Sequence, residues 1–306
     1  MKYVFFGTPR FAAIVLERLL SNGHPPVALV ANPDRPVGRK KIVTPPPTKI
    51  LLTVRGALAG HANKDIPLIL QPEKLDTVFM EKIRALEPDF FIVAAYAKII
   101  PKEVLAIPRL GTIGVHPSLL PKYRGASPIQ SAILGGETMT GVTLYLVDEK
   151  MDHGPVLAAE KIAIDPLRVT TSTLGDLLAN LGGDMAAKLI PEFIEGNAAS
   201  ESQDETLATY TKKFSVDDGS VTADDLDAAE HGDKEKARDI LLKINALGEE
   251  PGVWSSRDGV HTKLLKVNLT PEGALRLVSL QHDGGMPFTP PNSTSSRGPL
   301  NDLSLF

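Results

Sequence analysis

KLDTVFMEKIRALEPDFFIVAAY, residues 74–96, carries the pattern that decides the fold. Its first fifteen residues read as a helix that stops at a proline, and DFFIVAAY follows as a continuously apolar strand. A strand without polar alternation is covered on both faces, which is the signature of a parallel sheet with crossover helices. The same unit recurs at the start of the chain. Residues 3–6 form a short apolar strand, GTPRF supplies a turn, AAIVLERLLSNG reads as a helix ending at Gly23, and VALVAN returns as a strand. The repetition predicts an open α/β sheet.

Downstream, residues 111–115 are the next strand and SPIQSAILGG the helix after an SLLPKYRGA loop. GVTLYLVD alternates as a further strand, with GPVLAAEKIAI as its antiparallel partner at the sheet edge. The run TSTLGDLLANLGGDMAAKLIPEFIEG is largely helical and closes a first domain at about residue 197. Small and charged residues dominate 198–215, a composition suited to a connector. Beyond it, KARDILLKINAL is an amphipathic helix, and GVWSS, HTKLLKVNLT and ALRLVSLQ are short strands separated by turn residues. Residues 216–306 therefore read as a second, β-rich domain, with a tail from PFTPPNS onward that lacks periodicity.

The chain has 306 residues, 42% of them hydrophobic, enough for two modest cores. Its net charge of −4 offers a polyanion no global attraction, so any such partner needs a local basic surface. The first 215 residues hold 24 Lys and Arg against 22 Asp and Glu, whereas 216–306 hold 9 against 15, so phosphate contact should be led by the first domain. Cysteine is absent, which excludes disulfides and thiolate chemistry. The opening MKYVFF is too short an apolar run for a leader or a membrane span. We expect a monomeric cytoplasmic protein that does not engage a membrane.

Chemistry concentrates at two places. His116 follows the strand GTIGV, where a strand's C-terminal end presents side chains above an α/β sheet, and its imidazole could move a proton or stabilise an oxyanion. Asp152, in DEKMDHG, could orient that ring, although a buried histidine and a turn aspartate would read the same way. His116, Asp152 and His153 lack recognisable metal-ligand spacing, so metal-free chemistry is expected. In AKIIP, Lys98 reads as solvent-facing, while Ile99 and Ile100 suit core packing or contact with a flat heterocycle. Arg35, Arg39, Lys40 and Lys41 form a dense basic loop. Lys122, Tyr123 and Arg124 form a second group beside His116, Tyr123 suited to stacking on a base and Arg124 to meeting a phosphate. GTP at 7–9 could turn backbone amides toward an anion, or simply shape a tight turn.

The ordered set GTPRFA, NPDRPVGRKK, QPEKL, AAYAKIIP, VHPSLLPKYRGASPIQ and GVTLYLVDEKMDHG resembles the methionyl-tRNA formyltransferase family of the folate-dependent formyltransferases. TYTKKFSVDDG and INALGEEPGVW extend the resemblance into the second half. It implies a Rossmann-like formyltransferase domain followed by an OB-like barrel, and transfer of a formyl group from 10-formyltetrahydrofolate to the methionyl amine of initiator tRNA. On this chain it implies catalytic positions at His116, Asp152 and Gly114, and a folate pocket near Lys98, Ile99 and Ile100 and near Val147, Asp148, Glu149 and Lys150. Arg35, Arg39, Lys40, Lys41, Lys122 and Arg124 would face the tRNA. Gly114 departs from the family, which carries asparagine there as an amide donor to the formyl oxygen; loss of one such donor costs on the order of 3 kcal/mol of transition-state stabilisation. Two other readings stay open: a sugar-nucleotide N-formyltransferase, and a catalytically impaired folate- or RNA-binding protein.

Overall fold

A computed structural model describes residues 1–38, 40–58, 67–257 and 259–290, which divide into two compact units. The first unit comprises Met1–Asp165 and Thr171–Lys213; the second comprises Pro166–Thr170 and the chain from Phe214 onward. Of residues 198–215, read as a connector, 198–213 fall within the first unit and 214–215 within the second.

The first unit is built on a seven-stranded sheet of β1 (Tyr3–Phe6), β2 (Ala28–Val30), β3 (Leu68–Leu70), β4 (Phe90–Ala94), β5 (Thr112–His116), β6 (Met139–Leu146) and β7 (Val156–Ala163). Its order is β7-β6-β5-β4-β1-β2-β3. The first five strands are parallel, and β6 and β7 are antiparallel additions at one edge. Strand order reverses between β1 and β4, so a crevice is expected beyond their carboxyl ends. Helices α1 (Arg10–Ser21), α2 (Pro47–Leu58), α3 (Thr77–Arg84), α4 (Pro128–Leu134) and α5 (Thr171–Ile194) connect and cover the strands.

Residues 74–96 behave as their pattern requires. Asp76 caps α3 by accepting from the Phe79 amide, and Phe79 and Ile83 join Val4, Phe6, Val30 and Phe91 in one buried cluster. All four residues of β1 are buried, as expected for a strand covered on both faces. Arg10 and Arg18 on α1 each make a forked pair with a carboxylate on α5, Asp176 and Asp184 respectively. The edge hairpin falls where alternation placed it. Helix α2, strand β3 and a small hairpin pairing Arg35–Val37 with Ile42–Thr44 have no counterpart in the sequence reading.

In the second unit, β8 (Ser220–Val221), β9 (Trp254–Arg257), β10 (Val260–Leu269) and β11 (Leu275–His282) form a sheet in that order. It is accompanied by α6 (Ala223–Glu230) and α7 (Lys234–Leu247). The unit is β-rich as expected; among the described residues its sheet is open, with no pairing of β8 to β11. Trp254 fixes one side of it, stacking on His261 and donating its indole N–H to the Val216 carbonyl.

Candidate active site

The site lies where β5 ends beside β6. His116 is the last residue of β5, and the register sets it opposite Thr143 and sets Gly114 opposite Tyr145. Side chains alternate along a strand, so Gly114, His116, Thr143 and Tyr145 share one face of the sheet. Thr143 clamps the loop after β5, its hydroxyl donating to the Ser118 carbonyl at 2.7 Å and accepting from the Leu120 amide at 3.0 Å. Ser118 Oγ donates to the Lys122 carbonyl, which closes the turn that returns Tyr123 to the histidine.

His116 is 6% exposed, with Nε2 2.9 Å from the Tyr123 carbonyl oxygen. A carbonyl can only accept, so Nε2 carries the hydrogen and a neutral ring keeps its lone pair on Nδ1. Nδ1 faces Asp152 Oδ2 at 3.6 Å, too long for a hydrogen bond but close enough for charge to act on charge. Asp152 has a positive φ of 50°, and three groups hold it. Its Oδ2 accepts from the Gly125 amide at 2.7 Å, its Oδ1 accepts from the Tyr145 hydroxyl at 2.7 Å, and its carbonyl accepts from Gln203. The structure thus brings together the two side chains that the sequence separates by 36 residues.

The remaining expected residues are placed unevenly. Arg124 does not fit a phosphate contact: its side chain is fully buried, forked onto Glu205 and Gln203 and bonded to Tyr210. Burial of a guanidinium demands such partners, and the connector supplies them. Tyr123 is likewise committed, donating to Glu137 at 2.6 Å. Lys122 stays largely exposed, 3.9 Å from the same carboxylate. Lys98 does not face solvent freely; Nζ donates to the Pro72 and Glu73 carbonyls at 2.6 and 2.9 Å, pinning the strand end to the QPEKL segment. Ile99 is 86% exposed, and Ile100 packs on the core cluster.

Val147 continues the β6 ladder by bonding to Thr112, and Asp148 is occupied by the Lys150 amide and by His153 Nδ1 at 2.6 Å. His153 is thus engaged by Asp148, with its Nε2 3.6 Å from Glu205. Among the described residues, no group of three or more His, Asp or Glu side chains is placed to hold a metal ion. In the basic loop, Arg35 pairs with Glu73 at 2.6 Å, while Lys40 and Lys41 are exposed at the hairpin tip; Arg39 lies outside the described residues.

Two buried polar atoms near the carboxyl ends of β2 and β4 have no hydrogen-bond partner, Asn32 Oδ1 and Tyr96 Oη. Burial pushes the Tyr96 phenol up to about 12, so it remains a neutral donor. A cavity of about 440 Å³ is lined by Leu70, Gln71, Pro72, Glu73, Phe79 and Lys82 among others; neither His116 nor Asp152 borders it.

The formyl transferase family matches residues 1–190, which include His116, Asp152 and the whole seven-stranded sheet. The chain belongs to the formyl transferase family. This formyl transferase chain is 42% identical over 222 residues to a methionyl-tRNA formyltransferase of Chloroflexus aurantiacus, covering 72% of this chain and 68% of the relative. It is 35% identical over 269 residues to that of Staphylococcus aureus, covering 88% and 79%. Solved structures share the fold at lower identity. The methionyl-tRNA formyltransferase of Clostridium thermocellum superposes with a TM-score of 0.57 at 16% identity, covering 92% of this chain and 98% of that one. An N-formyltransferase of Helicobacter canadensis, solved with folinic acid and dTDP-3-aminofucose, gives 0.59 at 19% identity and covers 88% of each chain.

Sequence reasoning missed Tyr145 and the anchors Gln203 and Glu205. Within GVTLYLVD, Tyr145 reads as one more residue of an alternating strand, and the polar anchors carry no apolar period.

Proposed function

We propose that this formyl transferase moves a formyl group from 10-formyltetrahydrofolate to the amino group of methionyl initiator tRNA. The observation that carries the chemistry is the His116 ring, held by the Tyr123 carbonyl with its Nδ1 lone pair directed toward Asp152. The neutral methionyl amine attacks the formyl carbon, and negative charge gathers on the formyl oxygen. His116 Nδ1 accepts the proton that the amine loses, and the nearby carboxylate stabilises the resulting positive ring. Collapse breaks the bond between the formyl carbon and the folate nitrogen, which takes up that proton. The products are a formylated amine and tetrahydrofolate, with no net proton released.

The donor would lie beyond the ends of β4 and β5, against Ile99 and the turn after β6 that includes Val147, Asp148, Glu149 and Lys150. Tyr96 Oη and Asn32 Oδ1 are the buried polar atoms available to a heterocycle on that side. The resident carboxylates and imidazoles need no metal for this step. The acceptor's phosphates would meet Lys40 and Lys41, with Lys122 nearer the reacting amine. Identity of 35–42% to methionyl-tRNA formyltransferases over most of the chain supports this acceptor over an aminosugar nucleotide.

The test measures transfer of labelled formyl from 10-formyltetrahydrofolate to methionyl initiator tRNA and, separately, to a dTDP-linked aminosugar. The reading expects product on the tRNA alone and loss of it in His116→Ala. Product on the aminosugar alone would transfer the protein to the other branch, and no product on either would favour an impaired binding protein.

A further inference from the structure

Gly114 lacks the side chain that the family resemblance leads one to expect, and the structure shows what stands in its place. The cross-strand partner of Gly114 is Tyr145. A Cβ built on Gly114 would overlap the Tyr145 ring, with ring atoms Cε1 and Cζ nearest and Cζ only 2.6 Å away. An aromatic ring laid over a glycine on the neighbouring strand covers the backbone that the missing side chain exposes. Here the ring continues past the glycine to the reacting groups. Its hydroxyl reaches Asp152 Oδ1 at 2.7 Å, and its plane meets the His116 ring edge-on at 89° with centroids 6.5 Å apart.

We propose that Gly114 and Tyr145 are a matched pair: the absence of a side chain at position 114 makes room for the Tyr145 ring, and the Tyr145 hydroxyl donates its one hydrogen to Asp152 and fixes that carboxylate against His116. Tyr145 is then a positioning residue of the site, a role that rests on the formyl-transfer reading above. Three observations favour it over simple packing. Asp152 sits in the left-handed region at φ 50°, a conformation uncommon outside glycine that its surroundings must hold. Only one side-chain hydroxyl reaches that carboxylate among the described residues, the other close donor being the Gly125 amide. Burial, with Asp152 second, raises the phenol well above its ordinary value, so it donates and does not ionise at neutral pH.

The pairing alters what a substitution at 114 can reveal. An asparagine restored there meets the aromatic ring before it meets any substrate, so Gly114→Asn alone should lower both stability and transfer. Four proteins decide the matter: the parent, Y145F, G114N and G114N/Y145A, each assayed for kcat and KM with methionyl initiator tRNA and with the aminosugar acceptor, and each melted thermally. Y145F should lose tenfold or more in kcat with both KM values within twofold, and should melt only a few degrees below the parent, since a single hydrogen bond to a carboxylate is lost. G114N should melt lower than the parent, and G114N/Y145A should recover part of that loss although Y145A alone is destabilising. A Y145F that turns over at the parent's rate would overturn the positioning role, and a G114N that melts with the parent would overturn the pairing. Failure of the functional reading looks different, because the parent itself would then formylate neither acceptor; the melting comparison would still judge the pairing.

Discussion

Replacing Arg124 by methionine separates two roles for one guanidinium. Methionine matches the stem of the side chain but removes two bonds to Gln203 Oε1, at 3.1 and 2.7 Å, and one to Tyr210 Oη at 3.2 Å, besides the fork on Glu205. Hydrogen bonds to a charged group contribute about 1.5–3 kcal/mol net. Glu205 and Tyr210 are exposed and are rehydrated when freed, so only the two bonds to half-buried Gln203 are counted, at the low end of that range, giving a loss of about 3 kcal/mol. For a folded unit of this size that is roughly a 6–12 °C drop in melting temperature. The effect should reach the chemistry as well, because Gln203 also donates to the Asp152 and Gly154 carbonyls at 2.9 and 2.8 Å. R124M should therefore melt early, expose residues 198–213 to limited proteolysis and lose kcat, with R124K intermediate because it keeps charge without the fork. If R124M melts with the parent, resists proteolysis and shows only weaker tRNA binding with a salt slope reduced by about one, the guanidinium reaches out to phosphate and the buried-anchor argument is wrong.

Three further perturbations follow from the same structure. K40Q/K41Q should raise KM for tRNA several-fold and reduce the slope of log affinity against log salt by up to about two, with kcat unchanged; a titration from low to moderate salt measures it. Gly154→Ala, two residues beyond Asp152, should destabilise by about 1–3 kcal/mol and depress kcat, because the added methyl runs into the Leu146 carbonyl; denaturant melts and turnover check both. Acid should weaken the fold in a defined direction. The Lys2 amide, and after it Arg109, hold the Asp89 carboxyl below the usual carboxylate range against the opposing effect of burial. A group with a depressed folded value stabilises above its unfolded value near 4 and loses that contribution as pH falls through the folded one. Melting between pH 6 and pH 3 should thus fall more gently in D89N than in the parent.

The sheet was legible because its code is coarse. Uninterrupted apolar runs mark strands covered on both faces, and residues 3–6 and all of 90–94 but the partly buried Val93 are buried as that rule demands. Very short strands were not: β3 is three residues long, and although Pro67 and Pro72 bracket it, it gains its place from parallel pairing with β2, a long-range contact that no local pattern records. The connector misled for a related reason. Its composition lacks apolar anchors, yet Gln203, Glu205, Thr209 and Thr211 hold it by polar bonds to Arg124, Tyr123, Ser127 and the Asp152 carbonyl. A buried charge makes such a segment structural, and nothing in the spelling of Arg124 distinguishes a guanidinium facing inward from one facing a ligand.

His116 and Asp152 could be named from their motifs, but the geometry that brings them together in this chain could not. Alternation in GVTLYLVD puts Thr143 and Tyr145 on one face, and alternation in TIGVH puts Gly114 and His116 on one face. What converts two faces into one site is the antiparallel register that sets 114 against 145 and 116 against 143, and a slip of one residue would send Tyr145 to the opposite side of the sheet. Compared with a family position by position, Gly114 reads as a loss. Compared with its neighbour across the ladder, the same glycine leaves room for the ring whose hydroxyl reaches Asp152, so the two positions have to be judged together.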